Sequence, residues 1–434
     1  MYNLPNAIVT IVLTLPKTRQ FWAVASLLFA SMILGAQTLP MDAGYGRAGP
    51  YPAYRRPTLE DYNLKWGRLQ GHLDGSLQAE YNDNVFLGKD GAKSDFSLYP
   101  NLMLGFLWPV SRDQNLRLDL GIGYLWYARF DQLSHFYIRP NSRLEYQISV
   151  PDANLQFLIH DSIGTSVDPT SRPEISGLTT NNATGIVFLR LYNTAGLDVR
   201  WQPTRPLKVS SGYEFTLDRS LSEDFLSQDR DTHAFNLGAD YDISSVWTVG
   251  LLGNYTINNY VESVMNKGES YTIGPRFTFA PMRSVSVFGS MGYTVYQFDS
   301  TGTVADRSDF SGVTFEAGVR QTLSRALSHR LQFGRSVESG WLSNFTELWR
   351  VQYGLDAALM RNITVNALLT YENFAVSGSD TDKGDRYLAR LGAGYRFARR
   401  WNAGLAYYFA LKDTEQTVLD YTQNRVSLEL THSF

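Results

Sequence analysis

The sequence predicts an all-β fold, a transmembrane antiparallel up-and-down β-barrel of about 18 strands, with 16 strands as the alternative count. Three observations predict it. Apolar and polar residues alternate over segments long enough to cross a membrane as tilted strands of about 9 to 11 residues. Short links between these segments alternate with longer polar links, and the last segment ends on an aromatic residue.

The alternation begins at Leu69. In the first segment Leu73, Leu77 and Tyr81 share one face, while Asp74 and Glu80 share the other. One face suits lipid and the other suits water. Comparable segments lie near 69–82, 95–108, 115–130, 135–150, 153–163, 183–202, 207–217, 232–243, 246–257, 270–280, 284–298, 309–323, 327–337, 345–359, 362–374, 386–398, 401–411 and 419–434.

The links support the barrel independently, because bacterial outer-membrane barrels alternate short periplasmic turns with longer outer loops. The short links include 151–152, 203–206, 244–245, 360–361 and 399–400. The long, polar ones include 164–182, 218–231, 258–269 and 375–385. An even strand count places both ends of the barrel in the periplasm. We expect the longest link, 164–182, to fold inward and narrow the pore.

Aromatic residues cluster at the two ends of the predicted strands, as expected of rings placed at a membrane interface. Beside short turns lie Trp108, Trp201, Trp247, Phe279 and Trp401. Towards long loops lie Tyr81, Trp126, Phe136, Tyr255, Tyr271, Trp349, Tyr371 and Tyr387. The alternative explanation is that aromatic residues simply favour strands.

Composition excludes other classes of protein. Of 434 residues 44% are hydrophobic and 19% are charged, and no apolar run long enough for a helical span follows position 36. The absence of cysteine removes disulfide scaffolds, thiol nucleophiles and Cys-ligated metals. A net charge of -3 gives no electrostatic reason to expect nucleic acid as a partner.

Residues 1–36 have the order of a secretory signal peptide. Lys17 and Arg19 precede an apolar stretch that is too short for a comfortable membrane span, and small residues follow it. We expect cleavage near Ala36. A cleavage site near Ala43 and a retained membrane anchor are the alternatives.

Residues 37–67 are predicted to be an extended periplasmic N-terminal segment. They are rich in Pro, Gly and Tyr and show no lasting period of 2 or 3.6. The segment is too short for a folded plug domain. The transmembrane β-barrel therefore takes residues 68–434.

The chain ends in an amphipathic strand. Its alternate residues are Val426, Leu428, Leu430, His432 and Phe434. This ending resembles the carboxy-terminal signal that the outer-membrane assembly machinery reads. The resemblance implies that Phe434 is an assembly signal and that this machinery is a partner.

The nine residues from Ala79 to Leu87, with the sequence AEYNDNVFL, stand at the outer end of the first strand. This motif and the terminal Phe434 resemble outer-membrane β-barrel porins of the β-barrel porin 2 type. The resemblance covers the whole barrel in pattern, but it is motif-specific only over these residues. Because some members of that family sit among exopolysaccharide synthesis and export genes, it implies passage of solutes or glycans. Locally, the Asn and Asp residues favour a loop-entry turn.

The polar face is predicted to line a wet lumen. Its basic residues slightly outnumber its acidic ones, and guanidinium groups bind carboxylates and phosphates. The lumen or solute-lining candidates are Arg117, Arg129, Arg139, Arg143, Arg320, Arg350, Arg390, Arg396, Tyr127 and Tyr137. The two tyrosines are expected to stack on neutral oligosaccharides. The alternative is that arginines and carboxylates pair across strands and only satisfy a polar interior.

These features favour a pore of the bacterial outer membrane for small polar or anionic solutes or glycans. The protein is expected to need no cofactor and to contact lipid and lipopolysaccharide. A non-conducting structural or surface-interaction barrel and a lipid-acting or lipopolysaccharide-acting hydrolase are the alternatives. An enzyme is not expected, because His160, Asp161 and Ser162 alternate between opposite faces. For residues 229–231 a solvated acidic loop is preferred to a metal site. The sequence does not fix the oligomeric state.

Overall fold

The computed structural model describes residues 64–140, 142–166, 189–340, 343–378 and 382–434. These ranges contain 20 β-strands, all in one sheet, and short 3-10 helices at Asp131–Leu133, Pro151–Ala153, Glu223–Gln228 and Thr417–Leu419. Within them, no helix is long and apolar enough to cross a membrane. The signal peptide predicted for residues 1–36 lies outside the described residues.

The strands follow the chain in order. They are β1 (Leu64–Trp66), β2 (Leu69–Asn82), β3 (Asp95–Pro109), β4 (Gln114–Tyr127), β5 (His135–Ile138), β6 (Ser142–Val150), β7 (Leu155–Ser166), β8 (Arg190–Trp201), β9 (Leu207–Ser220), β10 (Arg230–Asp242), β11 (Trp247–Tyr260), β12 (Gly268–Met282), β13 (Val285–Phe298), β14 (Phe310–Ser324), β15 (Leu327–Ser339), β16 (Phe345–Met360), β17 (Ile363–Val376), β18 (Lys383–Ala398), β19 (Trp401–Thr414) and β20 (Tyr421–Ser433).

The sheet closes on itself. Neighbouring strands pair antiparallel around the ring, and β20 returns to pair with β2 from Asp74↔Ser433 to Asn82↔Arg425. Strands β5 and β6 both pair with β4 and share one place in the wall, so β2 to β20 occupy 18 places. The predicted closed antiparallel barrel of 18 strands is confirmed. The closed β-barrel implied by the family resemblance is therefore the fold that the chain adopts.

Two details of the strand prediction differ from the structure. The N-terminal segment contains the short strand β1, which pairs with β2 but was not predicted. The predicted strand 135–150 is interrupted, because Pro140 has no amide proton to donate to the ladder. At the interruption, the Ser142 hydroxyl donates to Arg139 O at 2.9 Å and accepts from Gly121 N at 3.0 Å. The side chain thus replaces a missing backbone partner.

The seam between β2 and β20 is fastened at both ends. At the outer end, Asn84 Nδ2 donates to Thr422 O at 2.9 Å, and Asn424 Nδ2 donates to Asp83 Oδ2 at 2.7 Å. At the periplasmic end, the amide of Phe434 donates to Leu73 O at 2.9 Å. The AEYNDNVFL motif therefore forms a loop-entry turn whose polar side chains also hold the closing strand.

The outward face carries the apolar side chains, and Leu391, for example, is 47% exposed. Aromatic rings stack near both ends of the strands. Trp247 and Phe279 lie 4.4 Å apart between centroids at the short-turn end, and Tyr255 and Tyr271 lie 4.7 Å apart at the long-loop end. An apolar band between two aromatic girdles is the surface of a membrane-spanning barrel of the kind found in bacterial outer membranes.

The short and long connections alternate as predicted. Between β6 and β7 the chain turns through Pro151–Ala153 and Asn154, which has a φ of 48°. Asparagine tolerates this left-handed conformation better than most residues. The predicted constriction segment 164–182 falls largely on residues outside the described ranges, so its inward folding stays a prediction.

Candidate functional site

The lumen is lined by the polar residues that alternate with the apolar outward face. In β2, Gln78 and Glu80 are buried on the inside, while Leu77 and Tyr81 are exposed on the outside. Since every strand of the closed ring alternates in this way, its inward groups surround one common interior. The candidate functional site is this inner wall.

Two predicted lumen residues belong to a square of alternating charges on β4 and β6. Arg117 Nε lies 2.7 Å from Asp119 Oδ2, and Arg143 Nε lies 2.7 Å from Glu145 Oε1. The register also places Arg117 opposite Glu145 and Asp119 opposite Arg143. Each guanidinium is therefore next to two carboxylates. This is the pairing described as the alternative interpretation of the arginines.

A second network lies on β16, β17 and β18. Glu372 accepts a hydrogen bond from Arg350 Nε at 2.6 Å and another from Arg386 Nε at 2.7 Å. Both Glu372 and Arg386 are buried. Arg350 was among the predicted lumen residues, and Arg386 was not. Arg386 lies on the polar face of β18, and this position in the sequence pattern could have identified it as a lumen residue.

A third group combines guanidinium groups with an aromatic ring on β18, β19 and β20. The Arg425 Cζ atom lies 4.0 Å from the centre of the Tyr408 ring, a cation–π distance. Tyr408 is opposite both Arg425 and the predicted residue Arg390 in the register. Arg390 is also within electrostatic range of Glu80 and Glu429. This part of the wall brings two guanidinium groups together.

Glycines make room for two predicted residues of β5 and its continuation. A Cβ atom on Gly121 would lie 2.8 Å from Arg139 Cδ, and one on Gly123 would lie 2.6 Å from Tyr137 Cζ. Because these glycines have no side chain, Arg139 and Tyr137 can lie over the wall of β4. The Tyr137 hydroxyl donates to Asn101.

The two predicted tyrosines are less available to solutes than expected. Tyr137 is only 3% exposed, and its ring centroid lies 6.4 Å from that of Tyr99 in an edge-to-face arrangement. Tyr127 is half-buried against the same cluster, which also contains Leu125. The expected stacking of oligosaccharides on Tyr137 does not fit this burial.

The remaining predicted arginines lie away from the middle of the wall. Arg129 follows the end of β4 in the outer loop, where its side chain donates to Ser94 O at 3.2 Å. It is therefore a loop residue, because β4 ends before the predicted strand did. Arg320 and Arg396 are exposed inward residues near the periplasmic ends of β14 and β18.

A neutral polar surface, which the sequence analysis missed, covers the outer part of the lumen from β9 to β14. The members of this hydroxyl wall are Thr216, Thr232, Asn258, Thr272, Thr294 and Thr314. They line one cavity of about 380 Å³. The available signal was the recurrence of Thr, Ser and Asn at inward positions of successive strands. A search for charged residues passes over such a pattern.

The hydroxyl wall is internally hydrogen-bonded. Thr294 Oγ1 lies 2.8 Å from Thr272 Oγ1 and 2.7 Å from Thr314 Oγ1. Thr232 Oγ1 donates to Asn258 Oδ1 at 2.7 Å, and Asn258 Nδ2 donates to the Tyr296 hydroxyl at 2.7 Å. These bonds restrict the rotamers and hold the polar atoms in fixed positions.

The residues considered for catalysis and metal binding have structural partners. Asp161 accepts from Asn193 Nδ2 at 2.7 Å, while His160 lies on the opposite face of β7. No group of His, Asp and Glu among the described residues is arranged to hold a metal ion.

At Asp229, directly before β10, burial raises the pKa to about 6, although the Ser220 amide donates to its carboxylate at 2.6 Å. Asp231 pairs with Arg219. Residues 230 and 231 belong to β10, and both carboxylates have protein partners, so the expected solvated acidic loop is not found there.

No protein-family model and no curated protein sequence matches this chain. Solved structures with a similar fold include Pseudomonas aeruginosa OccK5 (OpdH), at 11% identity and a TM-score of 0.45. The aligned region covers 84% of this chain and 98% of OccK5. P. aeruginosa OccK2 (OpdF), solved in complex with glucuronate, has 9% identity, a TM-score of 0.47 and coverages of 84% and 98%. The outer membrane protein OprD from P. aeruginosa has 12% identity, a TM-score of 0.43 and coverages of 84% and 94%. These similarities assign no role to any residue of this chain.

Proposed function

We propose that this protein is a pore of the bacterial outer membrane that passes small polar or anionic solutes or glycans. The observation that carries the proposal is a closed ring whose inner face carries polar and charged side chains on strands all around it, from Gln78 and Glu80 on β2 to Arg425 on β20. A barrel that served only as an anchor would gain nothing from so many inward polar side chains. A barrel of this strand number is wide enough for an aqueous interior.

The arrangement of charge supports a mild preference for anions. The arginines at 117, 143, 350 and 386 are paired with carboxylates, which lowers their attraction for a passing ion. The guanidinium groups of Arg390 and Arg425 lie together beside Tyr408. Because salt screens charge over about 8 Å at physiological strength, only such local clusters steer ions. The preference should therefore grow at low salt.

Conductance of the purified protein in a planar bilayer tests the proposal. We expect an ion current whose reversal potential under a KCl gradient indicates anion preference. A silent barrel would support the structural or surface-interaction alternative. A lipase assay on the same preparation tests the hydrolase alternative, for which no activity is expected.

Charge-reversal variants test which arginines set the selectivity. Changing Arg139 and Arg143 together to Glu should reverse or abolish the anion preference if both lie at the narrow part. Arg390→Glu tests the cluster of Arg390 and Arg425 beside Tyr408, which lies on the other side of the β2–β20 seam from Arg139 and Arg143. Arg396→Glu is the control, because that residue lies near the periplasmic end. Cation selectivity in the unmodified protein would contradict the arginine-lined pathway and leave the barrel intact.

The proposal also covers the solutes that pass through the pore and the molecules that surround the barrel. The family resemblance supports glycan passage linked to exopolysaccharide export, and the exposed apolar band supports contact with lipid and lipopolysaccharide. Swelling of liposomes that contain the protein, with neutral saccharides of increasing size as the osmolyte, measures the glycan limit. Swelling equal to that of empty liposomes for every saccharide would restrict the pore to ions.

A further inference from the structure

We propose that the hydroxyl wall is a binding site for an uncharged saccharide of one or two rings during its passage through the barrel. The inference rests on the proposed pore function and gives it a substrate class and a location. It differs from the expected stacking on Tyr127 and Tyr137, because it uses another part of the wall and another kind of contact.

The hydrogen-bonding capacity of the wall fits a polyol. Thr272, Thr294 and Thr314 together supply three hydroxyl protons and about six acceptor sites. Their two mutual hydrogen bonds use two protons and two acceptor sites. One proton and about four acceptor sites remain for a ligand. A saccharide hydroxyl both donates and accepts, so it can use both kinds of remaining group.

The charges at the cavity are already balanced by protein partners. Arg230 Nε lies 3.6 Å from Asp218 Oδ2, and Glu338 lies 3.7 Å from Arg350. Asp218, Arg230 and Glu338 are the charged side chains among the described residues that line the cavity, and Arg350 lies beside it. An ion would therefore find little net attraction there. Recognition depends on the dipoles of hydroxyl and amide groups, which favours a neutral ligand.

The wall is built to keep its shape. The Tyr296 hydroxyl, which accepts a hydrogen bond from Asn258, is also hydrogen-bonded to the Ser339 hydroxyl, with 2.9 Å between the oxygens. The Tyr296 ring is buried against Phe310 and Phe345 in one apolar cluster. Because the polar atoms are positioned before a ligand arrives, less conformational entropy is lost on binding. The cavity of about 380 Å³ lies at the lower end of the size range of small-molecule sites, about 300 to 1,000 Å³.

The rest of the ring separates this site from the charged groups. Strand β11, in the middle of the hydroxyl wall, and β20, which carries Arg425, are nine places apart in the ring of 18. They are therefore on opposite sides of the barrel. One side presents hydroxyl groups and the other presents guanidinium groups. A neutral saccharide and an anion would follow different walls of the same lumen.

The test uses the full-length protein with maltose as the saccharide and a polyethylene glycol of matched size as the neutral comparison. The variant Thr272→Val/Thr294→Val removes two hydroxyls with little change in shape. Its matched control is Thr364→Val/Thr431→Val, on β17 and β20. Maltose should reduce the single-channel current more strongly than the glycol does. The wall variant should weaken this effect about fivefold or more, since two hydrogen bonds are lost, and the control should not.

Isothermal titration of the detergent-solubilised barrel with maltose separates this inference from the pore proposal, because binding needs no current. Binding that the wall variant weakens and the control retains supports the site, even if the barrel is silent in a bilayer. A conducting barrel in which maltose and glycol act alike overturns the site and leaves the pore proposal standing. Unchanged maltose affinity in the wall variant also overturns it. Heat-modifiable migration of each variant verifies folding.

Discussion

Arg386 and Glu372 face each other directly across β17 and β18, with Arg386 Nε 2.7 Å from Glu372 Oε2, and are 1% and 2% exposed. The other oxygen of the carboxylate accepts from Arg350. One acid therefore compensates two guanidinium groups inside the barrel. Removing it would leave a buried charge without its main partner.

We expect Glu372→Gln to destabilise the barrel by about 3 to 5 kcal/mol, because breaking a buried ion pair on one side leaves the other charge uncompensated. Urea unfolding in lipid measures the change. Glu338→Gln is the matched control, since Glu338 lies 3.7 Å from the same Arg350 but its side chain is 44% exposed. It should change stability by less than about 1 kcal/mol. Equal effects of both variants would show that burial of the pair is unimportant.

The glycine at 123 should not tolerate a methyl group. Its ideal Cβ would lie 2.6 Å from both Asn101 Oδ1 and Tyr137 Cζ, so Gly123→Ala must displace the hydrogen-bonded pair. Overpacking of this kind costs about 1 to 3 kcal/mol. Gly404→Ala is the control, because the nearest atom to its Cβ would be 3.9 Å away. Unfolding midpoints in urea compare the two, and a stable Gly123→Ala barrel would contradict the close packing.

Inward and outward positions should differ in their tolerance of charge. Leu391 is exposed on the apolar outer face, so Leu391→Arg should cost up to roughly 2 to 4 kcal/mol near the membrane midplane. Thr364→Arg, at an inward position of the neighbouring strand, should cost much less. The same comparison applies to Leu355 and the inward Gln352. Equal destabilisation at the two kinds of site, measured in lipid vesicles, would overturn the assigned facing.

The terminal aromatic residue should be needed for assembly. Phe434 directly follows β20, and its amide donates to Leu73 O at 2.9 Å, beside the seam. Deletion of Phe434, or Phe434→Asp, should prevent insertion, whereas Phe434→Tyr should preserve it. The readout is the amount of heat-modifiable protein in isolated outer membranes. Wild-type amounts for the deletion would refute the assembly role.

Four outer loops should loosen in acid. Burial alone would raise the pKa of Asp306, but hydrogen bonds from the Asn344 amide, the Ser377 hydroxyl and the Ser308 amide outweigh it and hold this pKa below its usual value. Asn266 Nδ2 adds a bond to Asp306 O at 2.8 Å. Because the folded pKa is lower than the unfolded one, the carboxylate stabilises the cluster above about pH 3.9. The stabilisation is lost as the pH falls through the folded pKa.

Hydrogen exchange at the Ser308 and Asn344 amides checks this expectation. Exchange should become less protected below about pH 4, after correction for the intrinsic rate. Asp306→Asn should lower protection at neutral pH and remove the pH dependence. Asp90→Asn, in an exposed part of another loop, should change neither quantity. Protection that does not depend on pH in the unmodified protein would contradict the role of Asp306.

Much of the fold followed from local patterns. The alternation that places Leu77 outward and Gln78 inward is a property of any strand, because successive side chains point to opposite faces. The count of 18 wall positions followed from the number of such segments. Some of the predicted strands differ from the observed ones. The predicted strand 135–150 is interrupted at Pro140, and β4 ends at Tyr127, before Arg129.

The sequence by itself therefore determined the strand class, the number of wall positions, the facing of the side chains and the polar character of the interior. Only the tertiary structure decided which polar groups meet. Glu372 receives both Arg350 and Arg386, and Thr272, Thr294 and Thr314 join into one wall. The reason is that the direction in which a side chain points depends on the two-residue period within its own strand. Which side chains meet depends on the register between strands and on the closure of the ring. A charge count cannot show that Arg117, Arg143 and Arg350 are already paired with carboxylates, or that a neutral wall lies opposite Arg425.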